Sequence, residues 1–309
     1  MKKLKLSQAL LGYDLYAKAR HLSDHTILDY QNTFTRFQTW LGDQDPIMAD
    51  ITQEMVCQFM ADQKRVSNKT LLNYHVGLSA LWTWALGEGI VEDHVIHRVP
   101  RPKPEKRSVV PFEEHEIKAM LNALGRSRVY QRQGYRASDH SLPNAERNRA
   151  IILLLLDTGI RASELCGAVI SDINLRNRNL RVFGKGAIER TIPFSATTGQ
   201  AIWRYLSTRE DYTLADPLFV NSMGRSLDRT QLFHLLDTIA DRAQVQDCNV
   251  HKFRHTFAIN YLRNGGNPYS LQVMLGHSAM DMVKRYLKIA DADLERFHRR
   301  ASPVDNWRL

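Results

Sequence analysis

The sequence predicts a mainly α protein with a small antiparallel β-sheet, divided in two by a basic, proline-rich link. Three observations carry this expectation. Apolar residues recur at three- and four-residue steps through the first hundred positions and again through most of the last two hundred, the spacing of helices with one buried face. Between residues 173 and 193 the period changes to two, which is a strand pattern. Residues 97–107, HRVPRPKPEKR, set three prolines among basic side chains, a composition that cannot continue a helix. A chain of 309 residues with 43% hydrophobic content has enough apolar material for two cores.

Taken in order, Ser23 or Asp24 caps a helix whose stripe is Ile27, Tyr30, Phe34, Phe37, Trp40 and Leu41, ended by Gly42. Thr52 opens a shorter helix carrying Val56, Phe59 and Met60. Ser67 caps a longer one with Leu71, Tyr74, Leu78, Leu81, Trp82 and Ala85, closed by Gly87 and Gly89. Helical spacing of so many aromatics speaks for a packed core over a cofactor box. After the link, Phe112, Ile117, Met120, Leu121 and Leu124 give another helix. Residues 125–148 are polar and aperiodic and read as an extended loop. A buried helix over 150–156 follows, then a turn at Asp157-Thr158-Gly159. The next helix is capped and runs through Ser163-Glu164-Leu165. In the strand region Leu180, Val182, Ile188, Thr191 and Ile192 alternate with polar neighbours around a hairpin tip, Gly184-Lys185-Gly186. The remainder is helical, with turns at Gly224, Gly265-Gly266 and Gly276.

Charge narrows the partners. The chain has 42 Lys and Arg against 33 Asp and Glu, a formal net charge of +9. Such an excess attracts polyanions and says nothing about fold. The longest apolar run, over 151–156, falls far short of the roughly 18 residues a membrane span needs. The first dozen residues, MKKLKLSQALLG, lack the apolar core and cleavage site of a signal peptide, so a cytoplasmic protein is expected. Cys57, Cys166 and Cys248 are odd in number and far apart, which suits reduced thiols better than disulfides or a zinc site.

Six residues stand out as candidate chemistry. Arg161 lies just past a glycine turn, and Lys185 sits between two glycines. His251 and Arg254 are three apart and share a helix face. His277 follows Leu275-Gly276, and Tyr286 comes nine residues later. No carboxylates are paired as magnesium requires. His251 and His255 have the spacing of a helical zinc pair, but Arg254 shares that face and no glutamate stands where a metalloprotease places its base. The set suits a phosphodiester instead. Arginine forks match nonbridging oxygens bidentately and stay ionised. A tyrosine whose proton is removed is a nucleophile, and a lysine on an exposed tip can protonate a leaving sugar oxygen. Taken singly, each residue is as well explained by packing or solvation.

Four segments carry a resemblance: TGIRASELCG around Arg161, GKGAIERTIPF around Lys185, HKFRHTFAINYLRNGG from His251, and LQVMLGHSAMDMVKRYL up to Tyr286. In order and approximate spacing they resemble the tyrosine recombinase, or phage integrase, family. The resemblance implies a helical SAM-like core-binding domain over 1–97, a linker over 98–110 and an α+β catalytic domain over 111–309. Arg161 and Arg254 would clamp the scissile phosphate, and His251 and His277 would hydrogen-bond it, with His251 also a candidate acceptor of the tyrosine's proton. Lys185 would protonate the leaving 5′ oxygen, Tyr286 would form a 3′-phosphotyrosyl intermediate, and Glu164 would support the site. No cofactor or metal is implied. The implied partners are double-stranded DNA recombination sites and further copies of the chain in a tetramer, with a C-terminal segment (Leu294, Phe297 and the tail through Trp307 and Leu309) docking on a neighbour. A second recombinase or an accessory DNA-bending protein is a further candidate, and the expected place is the nucleoid.

For DNA contact the sequence offers Arg101, Lys103 and Lys106 in the link, and Lys69 and His75 at outward positions of the helix after Ser67. Two other readings share the six residues: a type IB topoisomerase-like enzyme, and a DNA-binding relative without catalysis. The complete set argues against the second, and the N-terminal helices and linker favour recombination over the first.

Overall fold

A computed structural model describes residues 3–105, 110–125, 144–184, 189–276, 280–290, 298 and 302–307. The chain forms two compact units, Met1–Ser108 and Val109–Leu309.

The first unit is built from α1 (Leu6–Ala19), α2 (Asp24–Leu41), α3 (Gln53–Asp62) and α4 (Asn68–Gly87). Three helices start at hydroxyl caps. Ser23, Thr52 and Ser67 each accept a hydrogen bond from the backbone N–H three residues on, satisfying donors that helix geometry leaves orphaned. The aromatic stripes meet in one core. Tyr13 lies edge-on to Phe34 and Trp84, Phe37 stacks on Trp40, and Phe59 sits edge-on to both Phe37 and Trp40. At the α2–α4 crossing a Cβ on Gly77 would come within 3.1 Å of Thr33, so the glycine permits the close approach.

Three features of this unit depart from expectation. Helix α1 has no counterpart among the helices expected from the sequence. Its buried stripe is Leu6, Ala9, Tyr13 and Ala17, and two alanines make a faint apolar signal. His75 does not face outward. It is buried, with Nε2 3.2 Å from the Val99 carbonyl oxygen, because it falls in register with Leu71, Leu78 and Trp82 on the inner face. A DNA-contacting His75 is therefore withdrawn, while Lys69 is exposed. Finally, Ile96 and Val99 belong to this core, so the first residues of the basic link are anchored to it. Arg101 and Lys103 are exposed, and Lys106 lies outside the described residues.

The second unit contains α5 (Glu114–Asn122), α6 (Ala145–Thr158), α7 (Ala162–Gly167), β1 (Ile173–Asn174), β2 (Asn179–Phe183), β3 (Glu189–Pro193), α8 (Ala196–Ser207), α9 (Arg229–Ala243), α10 (Val250–Arg263), α11 (Pro268–Leu275) and α12 (Asp281–Ala290). Helix α6 is its axis, with Ala150, Ile151, Ile152, Leu154 and Leu155 buried. This helix starts at Ala145, inside the stretch expected to be a loop. Arg147 obscured the pattern. Its buried guanidinium donates from Nη1 to the Val220 carbonyl at 2.8 Å and from Nε to Asn148 at 3.0 Å, so a charged residue fills a core position. Residues 126–143 of that stretch lie outside the described residues.

The sheet is antiparallel in the order β1-β2-β3. Pairing Leu180 with Ile192 and Phe183 with Glu189 turns Leu180, Val182 and Ile192 inward. It leaves 184–188 as the hairpin connection. Along α10 the buried Phe253, Phe257, Ala258, Ile259 and Leu262 face both the main core and α12, which packs Val283 and Tyr286 against them. The thiols of Cys57, Cys166 and Cys248 are unpaired.

Because Trp82 is fully buried among these helices, Trp82→Ala is expected to destabilise the first unit by about 3–5 kcal/mol. Urea unfolding followed by circular dichroism measures it.

Candidate active site

Two glycine turns frame the site. Gly159 ends α6 at φ 59°, and a Cβ there would lie 2.5 Å from the Phe257 ring, so both backbone and space demand glycine. Gly276 ends α11 at φ 61°. The last carbonyls of α11 have no partner within the helix and form the negative end of its dipole. Three arginines from three other elements gather there. Arg190 Nε donates to Met274 at 2.9 Å, Arg254 Nη2 to Leu275 at 2.6 Å, and Arg161 Nη2 to Gly276 at 3.1 Å. Arg254 Nη1 donates in addition to the Gly159 carbonyl at 2.8 Å, tying the two turns together.

Glu164 completes the arrangement. Arg161 occupies the N-cap of α7, and its backbone N–H donates to Oε2 at 2.8 Å while Nη1 donates to Oε1 at 2.8 Å. Arg190, on β3, forks onto the same carboxylate, Nη1 to Oε1 at 2.9 Å and Nη2 to Oε2 at 2.8 Å. Burial pushes the Glu164 carboxyl pKa up. Hydrogen bonds from Arg190 and Arg161, with the charge of Arg190, outweigh it and hold the group below the ordinary carboxylate range.

Arg254 is buried on α10. Burial, and next the like charge of Arg161, brings its pKa down to about 10, which still leaves it a cation at neutral pH. Among the described residues, these three guanidiniums against one carboxylate give a local excess of two positive charges. An anion held there would be neutralised at fixed, preorganised donors.

Tyr286, on α12, is almost wholly buried. Its hydroxyl lies 2.8 Å from Nδ1 of His255. Burial raises the phenol pKa, offset in part by Arg254 and Arg285. The same burial, reinforced by His251, Arg285 and Arg254, lowers the imidazole to about 4. At neutral pH both groups are uncharged, and in the tautomer with Nδ1 bare the imidazole accepts the phenol's hydrogen.

The described residues thus bring Arg161, Arg254 and Glu164 together. His251 is exposed in the first turn of α10, three residues from Arg254, and Tyr286 packs on that same helix. Lys185 and His277 lie outside the described residues. They follow directly on Gly184, after β2, and on Gly276. Sequence reasoning missed two participants. Arg190 stands within GKGAIERTIPF, where strand alternation gave it no distinction. His255 was weighed only as half of a zinc pair. Its place one turn after His251 marked the shared face, but its contact with Tyr286 spans 31 residues.

Comparison with known proteins finds matches in both units. Residues 114–293 match the phage integrase family, and residues 12–89 match the phage integrase N-terminal SAM-like domain. The tyrosine recombinase XerC of Pelobacter propionicus is 27% identical over 289 residues, covering 92% of this chain and 91% of the relative. That of Bacillus subtilis is 27% identical over 284 residues and covers 88% of each chain. A structure of the Tn1549 transposon integrase in complex with transposon right end DNA shares the fold at a TM-score of 0.74 and 19% identity, covering 95% of this chain and 99% of that one. A lambda integrase dimer bound to a COC' core site does so at 0.71 and 16%, covering 90% and 97%. With its catalytic-region match spanning more than half its length, the chain belongs to the phage integrase family of tyrosine recombinases.

Proposed function

We propose that this chain is a site-specific DNA recombinase that cleaves and rejoins strands through Tyr286. One observation carries the reading: a cationic cradle built on two glycine turns, with a tyrosine held by a histidine on the helix that also supplies Arg254. Arg161 and Arg254 bind the scissile phosphate, and His251 and His277 donate to its oxygens. The phenol oxygen attacks phosphorus as the bond to the 5′ oxygen breaks. The leaving oxygen takes a proton from Lys185. The phenol's own proton passes to His255, whose Nδ1 lies 2.8 Å from the phenol oxygen, where the sequence names His251 for this step. Burial keeps that proton on the phenol beforehand, and the oxygen becomes acidic only as its bond to phosphorus forms. The product is a 3′-phosphotyrosyl ester that conserves the bond's energy, so reversal by a free 5′ hydroxyl rejoins DNA without a nucleotide cofactor. Removal of one charged donor costs about 3 kcal/mol or more in such sites. Glu164 positions Arg161.

The first unit is assigned as a core-binding domain that contacts DNA through Lys69, with further contacts from Arg101, Lys103 and Lys106 in the link. Assembly into a tetramer on paired recombination sites follows the same reading. Trp307, 72% exposed in the short helical segment Pro303–Trp307, supports docking of the tail on a neighbour. Leu294, Phe297 and Leu309 lie outside the described residues. Action on the nucleoid in the cytoplasm belongs to the same proposal. A second recombinase or a DNA-bending protein is the class of accessory partner proposed. Full-length relatives named tyrosine recombinases, matched through both domains, favour recombination over topoisomerase-like nicking.

On a nicked suicide substrate the wild type is expected to give a covalent protein–DNA adduct in excess EDTA, and Tyr286→Phe to bind the site without one. An adduct in that variant, or a strict need for added metal, refutes the mechanism. Replacing Arg101, Lys103 and Lys106 by Ala should lower affinity and flatten the salt dependence by about one unit of slope for each phosphate left unneutralised. Filter binding between low and moderate salt decides this. Lastly, His255 titrates near 4 when folded against 6.5 ordinarily, so the unfolded chain takes up its proton first as pH falls. Its stabilising effect is complete above about 6.5 and lost towards 4. Melting curves across that window should show a shallower decline for His255→Gln than for the wild type.

A further inference from the structure

Arg190 is tied into the site more extensively than any role assigned above requires. It lies on β3, five positions after Lys185, and its side chain is only 9% exposed. Its guanidinium spans two other elements, forking onto both Glu164 oxygens from α7 and donating through Nε to Met274 at the end of α11. The turn after α11 is shaped around it. A Cβ on Gly276 would stand 3.0 Å from its Nη1 and 3.1 Å from its Cζ, so the guanidinium packs directly on the backbone from which His277 departs.

We propose that Arg190 is a positioning residue for strand cleavage, sharing the Glu164 carboxylate with Arg161 and so fixing Arg161 and the turn before His277 in one geometry. This rests on the site being the DNA-cleaving one. Glu164 is a buried anion, and Arg161 is both its partner and the clamp on the phosphate. Arg190 supplies two of the four hydrogen bonds that Arg161 and Arg190 together give the carboxylate. Without them the carboxylate draws fully on Arg161, in competition with the phosphate. The bond to Met274 acts on the other side, holding the end of α11 against β3, the strand that carries the Lys185 hairpin. Lysine cannot replace this, because one ammonium cannot fork two oxygens and also reach a carbonyl. Enclosed as it is, Arg190 acts through Arg161 and the turn, not on the substrate.

The test compares Arg190→Met, Arg190→Lys, Glu164→Gln and the double variant Arg190→Met/Glu164→Gln in the full chain. The readouts are the rate of adduct formation on the suicide substrate and the affinity for the same DNA. Arg190→Met is expected to cut the rate by about a hundredfold, the order seen when a reacting group shifts by about an ångström, with DNA affinity kept within about threefold. The double variant should lose less than the product of the two single losses, since both changes break the Glu164 linkage and only Arg190→Met also releases Met274. A rate for Arg190→Met equal to wild type, or losses that simply multiply in the double variant, overturns the proposal. If Arg190→Met does not fold, Arg190→Lys decides: a normal melt with slow cleavage supports the proposal, and wild-type cleavage overturns it. Failure of the wild type itself to form an adduct would instead count against the recombinase reading.

Discussion

Everything in the site depends on how several positive charges are held close together. Two guanidiniums about 4 Å apart repel by roughly 4 kcal/mol at the effective dielectric of a protein surface. Two devices offset that repulsion here. The carboxyl end of α11 offers three carbonyl oxygens, one to each of Arg190, Arg254 and Arg161. Glu164 supplies a full negative charge beneath two of them. The devices are interdependent, since Arg161 and Arg190 each use both. This explains why the local sequence is so constrained, with glycine at both turns and a carboxylate that tolerates burial because four hydrogen bonds saturate it.

The residual charge bears on the proposed function. A carboxylate for each arginine would leave a neutral, structural cluster. Among the described residues one carboxylate is set against three guanidiniums, which suits the proposed binding of a phosphodiester. Binding a phosphate is then linked to organising the cradle, as preorganised electrostatic catalysis requires. The Tyr286–His255 pair obeys a complementary rule. Burial lifts the phenol of Tyr286 and depresses the imidazole of His255, so both groups are uncharged at neutral pH.

Both the legible and the hidden parts of this architecture have local causes. Helices α2, α3 and α4 could be read because hydroxyl caps and large apolar residues recur in register, and the hairpin because β2 and β3 alternate about a glycine-flanked tip. Helix α1 was missed where alanine stands in its stripe, and the first turn of α6 where the buried Arg147 looked like surface. His75 was misplaced because an imidazole in a buried register resembles an exposed one in sequence. Among the site residues, Arg161, Arg254 and Glu164 were legible as a motif. Arg190 and His255 were not, since their importance lies in hydrogen bonds spanning 26 and 31 residues.

The sequence by itself determined which groups are on offer: arginines, histidines and a tyrosine at the spacing of the family's motifs, and two helical units with a basic link. Residue types and short-range periods encode these directly. Tertiary structure alone decided which groups meet. It set the Tyr286 hydroxyl against His255, brought Arg190 from a strand onto Glu164, and turned His75 inward. The physical reason is that hydrogen-bond reach and burial are properties of packed surfaces brought together from distant parts of the chain, and no local pattern records them.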